Sequence, residues 1–295
     1  MKVEVRRTIK LDRRRIAIGI LLLLPALVSL ILFKYLPMFL GVFFSLFDLN
    51  IVNMPGKFVG FDNYIKVFAD ANFWSSIVHN IKYFIYGLCM NFWVPILLAI
   101  CINEVRKGKT FFRLAYFIPG CAPMIAMTIL WKYFWQPDYG LANYLLSLIG
   151  ISPQLWLNDP KLVYFCMKFP GLIISGGMNL VIYLAALQNI PQELYEASVI
   201  DGANLLQRLR NVTIPQIKGT IHIMFTLSLI GAMNAMEEIL VLTGGGPAGA
   251  TQTVLLYAYN YGGSTQDYSY SITMSTVVFL VVLIMTLIMN RRKEN

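Results

Sequence analysis

Long apolar runs alternate with short polar connectors along the whole chain. Six runs stand out, at about 16–36, 77–102, 114–135, 162–187, 220–242 and 272–289. Each is long enough to cross a hydrocarbon core of about 30 Å as a helix. The first run extends toward Phe44 past Pro37. It follows a basic start, as the core of a signal peptide does. It is longer than such a core, and no small-x-small cleavage site follows, so it reads as an uncleaved span.

Prolines and glycines interrupt several runs: Pro95 in the second, Pro119, Gly120 and Pro123 in the third, and Pro170, Gly171, Gly176 and Gly177 in the fourth. A membrane helix tolerates proline when neighbours satisfy the freed carbonyl, and small residues let helices approach closely. Residues 45–76 are rich in turn formers. The stretch 68–77 (FADANFWSSI) reads as a short amphipathic piece, with Phe73 and Trp74 in a headgroup belt. Residues 136–160 read as a loop with an interfacial helix carrying Tyr139, Leu141, Tyr144 and Leu145.

Composition assigns the class. The chain is 57% hydrophobic and only 13% charged, against about 25% charged in soluble domains. A soluble fold could not hide this much apolar surface, so the reading is an all-α membrane protein with six transmembrane helices.

The net charge of +9 raises nucleic acid as a partner. Its placement argues otherwise. Basic residues crowd the segment before run one (Lys2, Arg6, Arg7, Lys10, Arg13, Arg14, Arg15), the second connector (Arg106, Lys107, Lys109, Arg113), the fourth (Arg208, Arg210, Lys218) and the end (Arg291, Arg292, Lys293). The alternate connectors hold Lys57, Lys66 and Lys161. This asymmetry predicts both termini in the cytoplasm and no nucleic-acid partner. Residues 1–15 and 291–295 are then cytoplasmic tails. Lys34, Lys82, Lys132 and Lys168 lie in or at the ends of apolar runs and read as snorkelling side chains.

One connector differs from the rest. Glu196–Pro215, EASVIDGANLLQRLRNVTIP, is a polar island between runs four and five. Asn189, Pro191, Glu193 and Glu196 suit the start of a helix. Gly202 breaks it, and Asn204 caps a second short helix from Leu205 to about Val212. Helices this short are unstable alone in water. Leu194, Ala197, Leu205, Leu206 and Leu209 are therefore expected to pack on the membrane helices or on a partner.

This island resembles the cytoplasmic EAA loop of binding-protein-dependent ABC importer permeases. The matching positions are Glu196-Ala197-Ser198, Asp201-Gly202-Ala203, Gln207, Arg210, Thr213 and Pro215. Ser198 departs from the third alanine of the pattern, and Leu209 from a common phenylalanine. LLLPALVSLILFKYLPMFLGVFFSLFD, GFDNYIKVF and LTGGGP are similar to stretches of the carbohydrate-type, MalF/UgpA-like sugar permease subunits.

The resemblance covers about 16–290. It implies the type I importer permease fold over that range, with a coupling loop at 191–218. It also implies a second permease (a heterodimer, with a homodimer left open), two ATPase subunits, an extracytoplasmic solute-binding protein, a carbohydrate substrate and a bacterial-type plasma (inner) membrane. Glu196, Ala197, Ser198, Asp201, Gly202 and Ala203 would form the ATPase contact. ATP and Mg would bind the partner ATPase, and this chain would hold no cofactor.

Other motifs are weak. Gly108-Lys109-Thr110 ends like a P-loop, but Asn103 stands where its first glycine belongs. Ile174-Ser175-Gly176-Gly177 is like an ABC signature fragment but lies in an apolar run. Asn211-Val212-Thr213 fits a glycosylation sequon on the cytoplasmic side. His79 and His222 fall at opposite membrane faces, and Cys89, Cys101, Cys121 and Cys166 read as buried small hydrophobes. No metal site or catalytic constellation is read.

Polar groups inside spans mark the candidate path. Asn234, Glu237 and Glu238 are spaced for one helical face, and Asn179 and Tyr183 are one turn apart. Amides and carboxylates suit polyols. Asn91 is a weaker candidate. The alternatives are an ABC permease for a non-sugar solute and an ion-coupled secondary transporter. The latter usually shows inverted repeats and acids near the midplane.

Overall fold

Apolar runs become helices; some break beside proline or glycine, as at 121–123 and Gly177, while Pro25 and Pro170 stay inside helices. The computed structural model describes residues 13–49, 55–105, 107–174 and 177–291. Expectations placed on 1–12, Arg106, Ser175, Gly176 and 292–295 lie outside them. The first run is α1 (Arg13–Leu30), a π turn over Ile31–Tyr35, and α2 (Leu36–Phe44), with Pro37 in the first turn of α2. From Ile18 to Phe44 its apolar side chains face outward; Leu22 and Phe33 are 75% and 81% exposed. Such a surface is stable only against lipid or another apolar partner.

A two-residue antiparallel pair, β1 (Phe47–Asp48) with β2 (Lys57–Phe58), follows. The buried Asn63 ties β1 down by donating to the Ser45 and Phe47 carbonyls. Asn63 sits in α3 (Asp62–Ala69), which has an acid in its first turn and Lys66 in its last, as the helix dipole favours.

The amphipathic piece expected at 68–77 is not separate. Asp70 accepts from the Asn72 N–H at 2.8 Å, and this cap starts the long α4 (Ala71–Met90). Phe73 is buried and Trp74 exposed within its first turn.

The remaining elements are α5 (Val94–Glu104), α6 (Lys109–Gly120), α7 (Met124–Phe134), α8 (Leu141–Leu148), α9 (Val163–Ile174), α10 (Met178–Gln188), α11 (Gln192–Ile200), α12 (Leu205–Arg208), α13 (Ile214–Met233), α14 (Glu237–Leu242), α15 (Val254–Thr265) and α16 (Tyr268–Arg291). The short helix expected within 136–160 is α8, which holds Leu141, Tyr144 and Leu145 but begins after Tyr139.

Among the described residues, three helical stretches are long and apolar enough to cross a membrane: Ile18–Phe44, Ala71–Glu104 and Tyr268–Arg291. Two bent pairs raise this to five if each is one span, α6–α7 bent by 85° and α9–α10 by 51°. The fifth apolar run is split between α13 and α14, and α13 does not join these spans; Lys218, His222 and Thr226 interrupt its apolar character.

Three buried clusters hold the bundle. One joins Trp131, Trp135, Met167, Ile239 and Leu256. A second joins Phe92, Ile96, Leu180, Tyr183 and Ile217. A third joins Val67, Phe73, Val254, Tyr270 and Met274. Only Cys166 is buried; Cys89 and Cys101 on helices and Cys121 just after α6 are exposed, contrary to the expectation of four buried thiols. In an apolar solvent a small apolar residue has no need to point inward.

Candidate functional site

Four helix breaks lie beside three cavities that share lining residues. They fall at 91–93 between α4 and α5, at 121–123 between α6 and α7, between α9 and α10, and at 234–236 between α13 and α14. Glycines allow the breaks to meet. A Cβ on Gly120 would stand 2.7 Å from the Gly177 Cα, and one on Gly171 would run into the Asn91 amide.

One cavity, of about 300 Å³, is lined by Tyr83, Asn91, Lys168, Asn179, Tyr183 and Ser228 among others. A neighbouring one of about 500 Å³ shares Asn91, Lys168 and Asn179 and adds Thr128 and Glu238. A third, of about 450 Å³, contains Tyr83, Asn234, Glu237 and Glu238. All five candidate path residues thus line one of three cavities that share walls.

Their arrangement differs from the expectation in one respect. Asn234, Glu237 and Glu238 do not share a continuous helical face. Asn234 ends α13 and donates to the Ile230 carbonyl at 3.0 Å, whereas Glu237 and Glu238 begin α14. The freed backbone groups find partners elsewhere: Thr253 Oγ1 donates to the Ala235 carbonyl at 2.6 Å, and Asn80 Nδ2 to that of Ala232 at 2.8 Å. A break satisfied by neighbours is tolerable where it borders a cavity.

Lys168 corrects a second expectation. It does not snorkel but is 8% exposed, inside the bundle. Its Nζ lies 3.7 Å from Glu238 Oε2 and 3.1 Å from the centroid of the Tyr83 ring. The Tyr83 hydroxyl donates to the same carboxylate oxygen. Sequence reasoning missed both Lys168 and Tyr83. A signal existed: Lys168 is the sole charge in its apolar run, and an acid in the next run is its natural partner. The Asn91 Oδ1 and the Tyr183 hydroxyl are buried without a hydrogen-bond partner among the described residues. Among the same residues no group of three or more His, Cys, Asp or Glu could hold a metal ion.

The polar island forms a second feature. α11 ends at Asp201 with Gly202 at φ +74°. The Gly202 N–H donates to the Val199 carbonyl at 3.0 Å, and that of Ala203 to Ser198 at 2.9 Å. This is a Schellman closure, which needs a left-handed residue at the glycine position. Asn204 and Gln207 then form a reciprocal capping box. Asn189 does not cap α11; it ends α10, and Pro191 precedes α11. Nor does the second helix stop near Val212, since a π turn over Leu209–Thr213 carries it into α13. The Tyr195 hydroxyl and Thr213 Oγ1, 3.2 Å apart, brace the two arms.

The packing face foreseen for the island is largely uncovered. Ile200 is 86% and Leu206 74% exposed, and Leu194, Val199 and Leu205 are also exposed. Glu196, Ala197, Asp201 and Gly202 share this exposed turn, while Ser198 is turned in to its own helix, donating to the Tyr195 carbonyl at 2.7 Å.

Residues 91–293 match the family model of the binding-protein-dependent transport system inner membrane component. The trehalose/maltose transport system permease protein MalF of Thermococcus litoralis is 33% identical over 282 residues, 95% of each chain. The arabinooligosaccharides transport system permease protein AraP of Bacillus subtilis is 32% identical over 261 residues, 86% of this chain and 83% of that one. A chain in the crystal structure of a bacterial ABC transporter involved in the import of the acidic polysaccharide alginate superposes with a TM-score of 0.82 at 25% identity, covering 96% of this chain and 97% of that one. The chain belongs to the binding-protein-dependent inner membrane component family, among its sugar-type ABC permeases.

Proposed function

We propose that this member of the family carries a carbohydrate across the membrane as the permease subunit of an ATP-driven importer. A binding protein delivers the sugar, and a separate ATPase drives the cycle through the turn at Glu196–Ala203. The single observation that carries the coupling is the apolar cluster exposed on a polar loop: Val199, Ile200, Leu205 and Leu206 around Gly202. Leaving such surface in water costs about 25 cal/mol per Å². A short helix with an apolar face is the shape that enters a groove on a partner. The basic connectors support six spans with both termini and this turn on the cytoplasmic side, α13 being the span that polar residues dilute. The sugar would pass the cavities at the four helix breaks, with Asn179, Tyr183, Asn234, Glu237 and Glu238 offering hydrogen bonds to its hydroxyls. A second permease, two ATPase chains and their ATP and Mg complete the assembly.

Co-purification with the ATPase tests the coupling. Glu196→Lys and Gly202→Pro are expected to lose the ATPase and the uptake it drives. Retention of both by both variants would show that force enters elsewhere. For the path, Glu237→Ala and Asn234→Ala should lower uptake and substrate-stimulated ATPase activity; unchanged values would remove these residues from it.

A further inference from the structure

The ion pair between Lys168 and Glu238 stands where the cavities meet. Lys168 lines the 300 Å³ and 500 Å³ cavities, and Glu238 lines the 500 Å³ and 450 Å³ ones. At 3.7 Å the pair is longer than a hydrogen bond. An ammonium carries three donors and a carboxylate accepts at about four sites. Tyr83 occupies one carboxylate position and lays its ring face against the ammonium. The buried Asn91 Oδ1 and Tyr183 hydroxyl, without a partner among the described residues, line the same space as Lys168. Unused polar capacity at such burial is costly until a ligand satisfies it.

Resting on the carbohydrate reading, we propose that Lys168 and Glu238 together form the selectivity element of the path, which takes neutral saccharides through a vicinal diol and rejects acidic ones. One hydroxyl of the diol accepts from the Lys168 ammonium while its neighbour donates to the Glu238 carboxylate. Each charge gains a hydrogen bond and neither loses its counter-charge. A sugar carboxylate would gain Lys168 but face Glu238, with Glu237 beside it on α14, so like charges oppose it. The lysine stem runs alongside Gly87 on α4, its Cε 3.7 Å from where a Cβ there would stand, an ordinary contact distance. The carboxylate is held at the start of α14 by Tyr83, so three helices fix the spacing of the two charges.

The test is equilibrium binding to the assembled permease–ATPase complex without its binding protein, so that selectivity reports on the path alone. The probes are maltose, trehalose and arabinobiose as neutral sugars and digalacturonate as the acidic one. The unaltered complex should prefer a neutral probe. Glu238→Gln should shift the neutral-to-acidic preference by about tenfold toward digalacturonate, and Lys168→Gln should weaken neutral binding by about tenfold, the scale of one hydrogen bond to a charged group. Tyr83→Phe, which alters no charge, should move the preference the same way as Glu238→Gln, by less. A pair that merely ties helices together would lower the yield of folded complex and leave the preference of what remains unchanged. An unshifted preference in Glu238→Gln and Tyr83→Phe overturns the proposal. If the unaltered complex binds none of the four sugars, the carbohydrate reading itself falls, and this inference with it.

Discussion

The Tyr270 hydroxyl donates to the Asp70 carboxylate at 2.6 Å, across 200 positions of sequence. Tyr257 donates to the same oxygen at 2.7 Å, while the other oxygen caps α4. One side chain therefore ties α4, α15 and α16 at a common end. Partial burial works against the charge, but the hydroxyls of Tyr270 and Tyr257 and the backbone N–H groups of Asn72 and Phe73 outweigh it, holding the carboxyl below its ordinary value. A depressed carboxyl stabilises the fold fully above its unfolded value, about 3.9, and that share is lost as pH falls through the folded value. Asp70→Ala should cost about 2–4 kcal/mol, from a lost cap and two lost hydroxyl contacts. Asp70→Asn should cost less and flatten the acid limb of a melting-temperature profile below about pH 5, where the unfolded aspartate begins to take up protons. A profile equally steep in both proteins would refute the linkage.

Asn80 is 1% exposed, and both ends of its amide are used. Nδ2 donates to the Ala232 carbonyl at the end of α13, and Oδ1 accepts from the Val254 N–H at 2.9 Å at the start of α15. Asn80→Ala orphans the buried Val254 N–H and leaves the Ala232 carbonyl with the longer bond from the Ala235 N–H at 3.4 Å, at a cost of about 1–3 kcal/mol. Thermal unfolding in detergent should show it as a marked drop, whereas Ser75→Ala, on an exposed face of the same helix, should change little.

At the meeting of Gly120 and Gly177, a methyl group has no room. Gly120→Ala must displace backbone, which overpacking data place at about 1–3 kcal/mol. Gly219→Ala is the control, since a Cβ there meets nothing within 4 Å. The folded yield of the first should fall and that of the second should hold. Equal yields would mean that the breaks between α6–α7 and α9–α10 do not need this contact.

Gly202→Ala isolates backbone conformation from contact. A Cβ at Gly202 meets nothing within 4 Å, but φ is +74°, a left-handed state that costs an L-residue about 1–2 kcal/mol. The turn should loosen locally while the bundle keeps its melting temperature. The measurable consequence is partial loss of ATPase retention, milder than with Gly202→Pro. A lowered melting temperature with full retention would place the role of this glycine in the bundle.

Much of this was legible in one dimension. Runs of apolar residues, basic connectors and the EAA pattern led to a helical membrane permease, and to the helix–turn–helix around Gly202 with Asn204 as its cap. These features are local: a cap, a left-handed glycine and an amphipathic face each depend on residues within a few positions. The errors are non-local. The helix starting at Ala71 depends on a cap that tyrosines from α15 and α16 reinforce. The break at Asn234 could not be read from i, i+3, i+4 spacing, because Asn80 and Thr253 supply the partners that make it tolerable.

The sequence by itself determined that the chain lives among lipids and which of its connectors carry the positive charge. Only the tertiary structure decided that Lys168 turns inward to Glu238 over the Tyr83 ring. From sequence a lysine in an apolar run has two outlets, the interface or a buried counter-charge. Which one it takes depends on whether an acid on another helix stands within reach, and only the packing of α4, α9 and α14 around a shared cavity sets that distance.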